Sequence, residues 1–507
     1  MLDYPVQITK AGTSPITYPR QTKFGGFLQD DWRTTSRLTL NLGVRYDVDL
    51  PINDRVLGIF DPSFGGLRFP QYTIDHSGFD VANYFATARP DIPIKIDPGK
   101  SVYSADTNNI APRVGFAYSL GGHQTTVVRG GAGVFFTSPP AMGVRCTSTI
   151  PPFTQRFSVY SDPTVPTISL VSTGANPAAR LPIRIWTFPG NRKFVNGVVD
   201  EWALSVQREI SPSLMVEVGY IGNHLIRGLS ALDINQAPVP GPSNLQDRVP
   251  FPSFAAINMY GNNMFSMYNG LNVKVTKQAS RGLSFLASYR FGKELNNADE
   301  ADRGFPQNIN CPISCEKGLA DGNTAQRLSV GYSYDLPFGR GRAFLANRSG
   351  FLEPFVDRWT LGGIVTAESG FPVSPGENGI GSNTGGQIGT RPDRIGNGNL
   401  PSGQRSPDHY WDPSAFVESA PYTFGTAGRN ILIGPGFSTW DFSLRKNFPF
   451  HFLGEQAGLE FRAEMFNFLN HANFGMPDSD IDDSTFGQIF SLSQAPREVQ
   501  FALRLHW

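Results

Sequence analysis

Three sets of residues in this sequence could do chemistry: a close cysteine pair, a run of aspartates, and charges recurring at every second position. Cys311 and Cys315 stand in "CPISC". Outside the cytoplasm paired cysteines form disulfides, although so short a loop makes the geometry demanding, and free thiols or a metal site are the alternatives. Cys146 is left over, either as a stray thiol or as partner to a segment outside this sequence, and neither reading is favoured. The run "DSDIDD" gathers Asp478, Asp480, Asp482 and Asp483, and clustered carboxylates suit calcium. It lacks the glycine turn and terminal glutamate of an EF-hand loop, so a solvated acidic loop tip is the preferred reading.

The dispersed charges are Arg45, Asp47, Arg113, Arg129, Arg290, Asp335, Asp441, Arg445, Glu460, Arg462, Glu464 and Arg504. Each falls between apolar residues in an alternating segment. Enzymatic chemistry finds little support beside them. The 7 histidines are dispersed, with no HExxH spacing, and there is no G-x-S-x-G elbow. Glycine runs such as "GAGVFF" sit inside strands, where they leave room or allow bending, and so are not phosphate loops. No cofactor is implied. With 43 basic and 43 acidic residues, the chain shows no sign of a nucleic-acid partner.

The elements that must position these residues are strands. The chain holds 54 glycines, 40 prolines and 39 phenylalanines, a composition of turns and sheet, and no long segment reads as an amphipathic helix. In "RLTLNLGVRYDV" the residues Leu38, Leu40, Leu42, Val44, Tyr46 and Val48 share one phase; Thr39, Asn41, Gly43, Arg45 and Asp47 share the other. Comparable segments come in pairs across short turns, as in "DEWALSVQREI"–"SPS"–"LMVEVGYIG" and "YNGLNVKVTKQ"–"ASRG"–"LSFLASYRFGK". The terminal segment "EVQFALRLHW" stands alone, for roughly thirteen strands altogether. The remaining connections, about 50–108, 138–198, 224–265, 293–324, 370–436 and 470–496, are long and rich in Gly, Pro, Asn, Asp and Ser. Short turns and long loops alternate strictly, which in a meander puts all long loops at one end.

No stretch of about 18 apolar residues exists, which excludes a membrane-spanning helix but not a barrel, whose strands need only about 9–11 residues with every second one apolar. A soluble β-sandwich, propeller or β-repeat enzyme is the rival. Three features favour lipid. The strands run to about 10–12 residues against a usual 5–6. Aromatics cluster towards strand ends: Trp32, Tyr46, Phe135, Phe136, Trp202, Tyr220, Tyr289, Phe291, Trp359, Trp440, Phe448, Phe450 and Trp507. Charges in the apolar phase (Asp30, Arg208 and Lys277) each lie just before a short turn, at one depth, where a lipid-facing charge is tolerable. The reading is an all-β, antiparallel transmembrane β-barrel meander whose polar phase faces a wet lumen.

Several segments are familiar. "FGGFLQDDWRTTSRLTLNLGVRYDVDLP", "YNGLNVKVTKQASRGLSFLASYRFGKEL", "FRAEMFNFLNHANFG", "STFGQI" and "PREVQFALRLHW" resemble the strands of Oar-like TonB-dependent receptors of the outer membrane. The resemblance implies a barrel of about twenty-two strands around an N-terminal plug, driven through the TonB complex, with an unidentified solute as cargo. It also implies that Phe501, Leu503, Leu505 and Trp507 form the closing signal read by the barrel-assembly machinery. Against that pattern the chain shows neither signal peptide, TonB box nor plug. Residues 1–22 are therefore expected to be the tail of an extracellular loop, and 23–507 the C-terminal portion of a receptor barrel. The expected function is outer-membrane transport, with surface binding or a structural role as the alternative. Outer-membrane lipid is an expected partner, and TonB one only through the missing region.

Overall fold

The structure is a computed structural model that describes residues 7–11, 16–101, 103–121, 125–138, 150–154, 156–160, 182–188, 195–299, 305–339, 341–345, 353–378, 381–385, 390–449 and 457–506. Its largest feature is an antiparallel wall of long strands: β1 Lys23–Arg33, β2 Leu38–Asp49, β3 Asn109–Leu120, β4 Thr126–Thr137, β5 Gly197–Ser211, β6 Leu214–Asp233 and β7 Phe254–Ser280. It continues through β8 Leu283–Asn296, β9 Gln326–Asp335, β10 Trp359–Glu368, β11 Phe437–Pro449, β12 Gly458–Phe466 and β13 Glu498–His506. Each strand pairs with the next in sequence order. Among the described residues no ladder joins β13 to β1, so the wall is open. The expected strand pairs are all present.

Pairing across the wall confirms the two phases. One row runs Leu40, Phe116, Gly130, Leu204, Tyr220, Leu271, Phe291 across strands β2 to β8. Its side chains stay uncovered, with Leu204 at 50 % exposure, and on β13 Phe501 and Leu503 reach 70 % and 68 %. A soluble sheet buries this face; here it stands open as a continuous apolar belt. Phe135 departs from the expected aromatic set. It pairs with Val199 on the polar phase, and the Arg113 guanidinium lies 4.5 Å from its ring centre. Phe450 and Trp507 lie outside the described residues.

The charges on the apolar phase also need one correction. Asp30, Arg208 and Lys277 do sit beside short turns, opposite Leu42, Val216 and Leu214. Asp200, opposite Val134 and His224, carries a charge on the same phase at the opposite, long-loop end. Both interfaces of a bilayer tolerate charge, so intrusions at either end are expected on physical grounds, not at one depth alone. Lys446 shows how such a charge is handled: it is 1 % exposed, 3.1 Å from Asp357, with the rings of Trp359 and Phe448 beside it.

The long connections are not simple loops. Two strands run far past the expected limits, so that half of 224–265 is sheet: β6 continues to Asp233 and β7 starts at Phe254, giving 27 residues. Around these extensions the connections fold into a cap. Short strands Ile59–Asp61, Gly66–Pro70 and Ile94–Asp97 form one sheet, with helices α1 Gln71–His76 and α2 Val81–Thr87 inserted between the second and third strands. Phe60, Phe69, Ile150, Ile185, Phe254 and Ile257 share one apolar cluster, while Trp411, Phe416, Leu432 and Phe486 share another. The conventional core of the molecule lies here and not in the wall. Each such ring gains about 1.5–3 kcal/mol on full burial, which is why Gly- and Pro-rich segments hold shape. In the first segment Arg20 bridges to Asn53, and residues 7–11 pair antiparallel with 156–160.

Asparagines, buried at 235 and 473 and half-buried at 399, complete the cap by standing in for backbone. The Asn399 side chain donates to Ile431 O and accepts from Ile433 N, both at 2.8 Å, as a paired strand residue would. Asn235 donates to Phe254 O at 2.6 Å and accepts from Phe251 N at 2.9 Å. Asn473 does the same with Ser438, accepting from its N at 2.7 Å and donating to its O at 2.9 Å. The amide carries both a donor and an acceptor, which satisfies loop groups that would otherwise be orphaned on burial.

Candidate functional site

Strand alternation places the predicted charged residues together on the polar face. Arg45 and Asp47, two apart on β2, pair at 2.7 Å. Arg129 bonds Gln207 across the wall, and Arg290 reaches Thr324. Asp335 accepts from the Thr360 hydroxyl at 2.8 Å, and Asp441 accepts from Asn467 N at 2.9 Å. The closing strands carry the densest group. Arg462 pairs with Glu460 at 2.6 Å and Glu464 at 3.6 Å, Arg445 stands opposite Arg462, and Arg504 stands opposite Glu460. Opposite charges alternate here, so the wall offers a hydrated, near-neutral surface and no single strong field. One row is mostly small: Gly115, Gly131, Ala203, Ile221, Gly270 and Gly292 face each other across six strands, with the Tyr268 ring lying over the last two glycines.

The second arrangement, which the sequence did not reveal, is a cavity of about 700 Å³ in the cap, built by the connections after β8, β10 and β12. Its frame is electrostatic. Arg391 makes a two-pronged contact with Glu316 at 2.8 and 2.9 Å, and both are buried. A fork of this geometry is among the strongest side-chain contacts, and burial makes its loss costly. Arg429 donates to Asp299 at 2.6 Å, approaches Asp321 at 3.5 Å, and also donates to Glu316 O at 3.0 Å. Burial pushes the Asp299 carboxyl up, but bonds with Asn296 and Asp321 and the charge of Arg429 outweigh it and hold the group below its ordinary value. For Asp321 burial again pushes up and, with Asp299 adjacent, the group stays raised despite its bond from Asn430. The two carboxyls thus titrate apart. The frame's residues lie in segments without periodicity, and Arg391 and Glu316 are 75 positions apart. No local spacing could have joined them.

The two local motifs abut this cavity. Cys311 and Cys315 are joined as a disulfide with Cα atoms 5.5 Å apart, in the turn directly before Glu316. Asp480 lines the cavity, and its neighbours fold the acidic tip locally. Asp478 accepts from Asp480 N at 3.1 Å and Thr485 Oγ1 at 2.6 Å, while Asp480 accepts from Asp482 N at 3.1 Å and from the Asn378 amide. Asp482 accepts from Asn378 N, tying the tip to the connection after β10. Among the described residues no group of three or more acidic, His or Cys side chains is arranged to hold a metal. Cys146 lies outside the described residues.

The family model described as "Outer membrane beta barrel domain" matches residues 1–500. No curated protein matches the chain. Among solved structures it is similar to the outer membrane transporter YddB from Escherichia coli, at 9% identity and TM-score 0.45, covering 96% of this chain and 54% of that one. It is also similar to the siderophore receptor PirA from Acinetobacter baumannii, at 10% identity and TM-score 0.44, covering 95% and 45%. The ferripyoverdine receptor of Pseudomonas aeruginosa gives 10% identity and TM-score 0.44, covering 96% and 39%. The chain thus spans about half or less of the length of these structures.

Proposed function

This chain belongs to the outer-membrane β-barrel domain family, a family of the outer membrane and not of enzymes, and from that premise we propose that it forms the barrel portion of a TonB-dependent transporter. The cap receives a solute at the outer surface, and the hydrated polar face of the wall offers it a path inward. One observation carries this reading. The long connections do not merely close hairpins; three of them fold together around a cavity at one end of a polar-lined wall. A barrel serving only as a structural element gains nothing from a folded cap with an open cavity of this size, whereas a receptor needs one.

The experiment is depletion of a defined solute mixture from the medium by cells with and without the gene, each with and without functional TonB. Loss of depletion of the same solute on removing either component supports the proposal. Surface binding without energised uptake would instead give solute retained on the cells, indifferent to TonB. That outcome would move the chain to the surface-binding class.

A further inference from the structure

We propose that the cap cavity is a receptor site for an organic cation, an amine or guanidinium carried on an apolar body. It would be held between the carboxylates of Asp321 and Asp480 and the uncovered faces of Phe371 and Met476. The inference deepens the transport reading and rests on it for the identification of the cavity as the receiving site.

Charge balance in the cavity is the first argument. Five carboxylates line it: Asp299, Glu316, Asp321, Glu377 and Asp480. Among the described residues two cations do, and both are committed: Arg391 to Glu316, and Arg429 to Asp299 at 2.6 Å, with Asp321 a more distant second contact at 3.5 Å. Among the described residues Glu377 has only neutral donors, the N–H and hydroxyl of Ser419. The Asp480 carboxylate, among the described residues, likewise meets only Asp482 N and the Asn378 amide. Asp478, Asp482 and Asp483 lie beside it in sequence and extend the negative field along the same connection. Among the described residues the lining carboxylates outnumber the cations, so an anion entering this cavity meets net negative charge.

Apolar surface is the second and independent argument. Phe371 and Met476 line the same cavity and remain 41 % and 42 % exposed, so an apolar surface faces the space the carboxylates enclose. A hydrated metal ion makes no use of such a surface. An organic cation uses both walls at once, its charge meeting carboxylates and its body an aromatic face. At about 700 Å³ the space matches ligands larger than a single amino acid.

The test is calorimetric titration of the full chain in detergent micelles. Lysyl-phenylalanine amide and spermidine serve as cationic probes, citrate as the anionic one, and calcium chloride as the metal. Saturable binding of a cationic probe is expected, about tenfold weaker in Asp321→Asn or Asp480→Asn, severalfold weaker in Phe371→Ala, and unchanged in Asp75→Asn on helix α1. Binding should also fall steeply by about 0.5 M salt. Absence of saturable binding by either cationic probe, preference for citrate or calcium, or indifference to the cavity variants would overturn the proposal. Should Asp321→Asn not fold, Phe371→Ala, whose ring makes no hydrogen bond, decides alone. Binding in micelles needs no transport. Failure here leaves the depletion experiment standing, and failure of depletion leaves this result standing.

Discussion

Two ion pairs of similar length have opposite worth in this molecule. Arg45 and Asp47 meet at 2.7 Å on the wall but are 41 % and 31 % exposed, so Asp47→Asn should cost only about 0–1 kcal/mol. Arg391 and Glu316 are buried, and Glu316→Gln strands a guanidinium without its counter-charge, at about 3–5 kcal/mol. The loss should be local, seen as faster amide hydrogen exchange through 390–430 while the wall strands keep their protection. Acid should loosen the other side of the cap. Burial pushes Asp61 up, but bonds from Ser63 and Arg68 outweigh it and hold its carboxyl below the ordinary value. A carboxyl lowered in the folded state contributes stability above its unfolded value, near about 3.9, and loses it as pH falls through the folded one. Pepsin cleavage around 61–97 should therefore rise as pH drops from about 4 towards 2, and less steeply in Asp61→Asn, which starts out weakened.

At the scale of elements, the wall was legible because each strand carries its own instruction. Alternation in Leu38–Val48 assigns both faces without reference to any other segment, and the pairing of Asp30 with Leu42 follows from it. Phe135 was misread because end position was allowed to outweigh phase. The cap was not legible for the converse reason: Phe60 packs on Phe254, and Arg391 on Glu316, across separations no local period encodes. Asparagine-rich composition, read as loop, is also the composition of side chains that imitate backbone. The lipid-facing reading of β5 has a depth test. Leu204→Arg, mid-strand, should cost about 2–4 kcal/mol on urea unfolding from lipid vesicles, and Ile210→Arg beside the turn about 0–1. Equal costs at the two positions would contradict a bilayer around this strand.

For the whole molecule the claim is polarity: cap outward, short turns inward. In a Cys146→Ser background, a cysteine at Asp75 in helix α1 should react with an impermeant maleimide on intact cells. One at Ser36 in the β1–β2 turn should react only after the outer membrane is breached. The reverse pattern would invert the orientation. Legibility at this scale was mixed. Alternation of short and long connections gave the two ends, and strand length, aromatic placement and the depth of intruding charges gave the membrane, but nothing in the sequence separated the cavity-forming connections from those that pack around Phe60.

The 27-residue strand β7, about 90 Å if fully extended, is paired with β6 almost throughout, interrupted only by irregularities between Leu225 and Ser230. Cap and wall are therefore two ends of one lever. A tug on the cap along the membrane normal draws both strands the same way and loads their flanking ladders, to β5 and to β8, in shear, so those hydrogen bonds must break together, not one after another. Single-molecule extraction from the cap side should accordingly show the cap and this hairpin yielding in one high-force event.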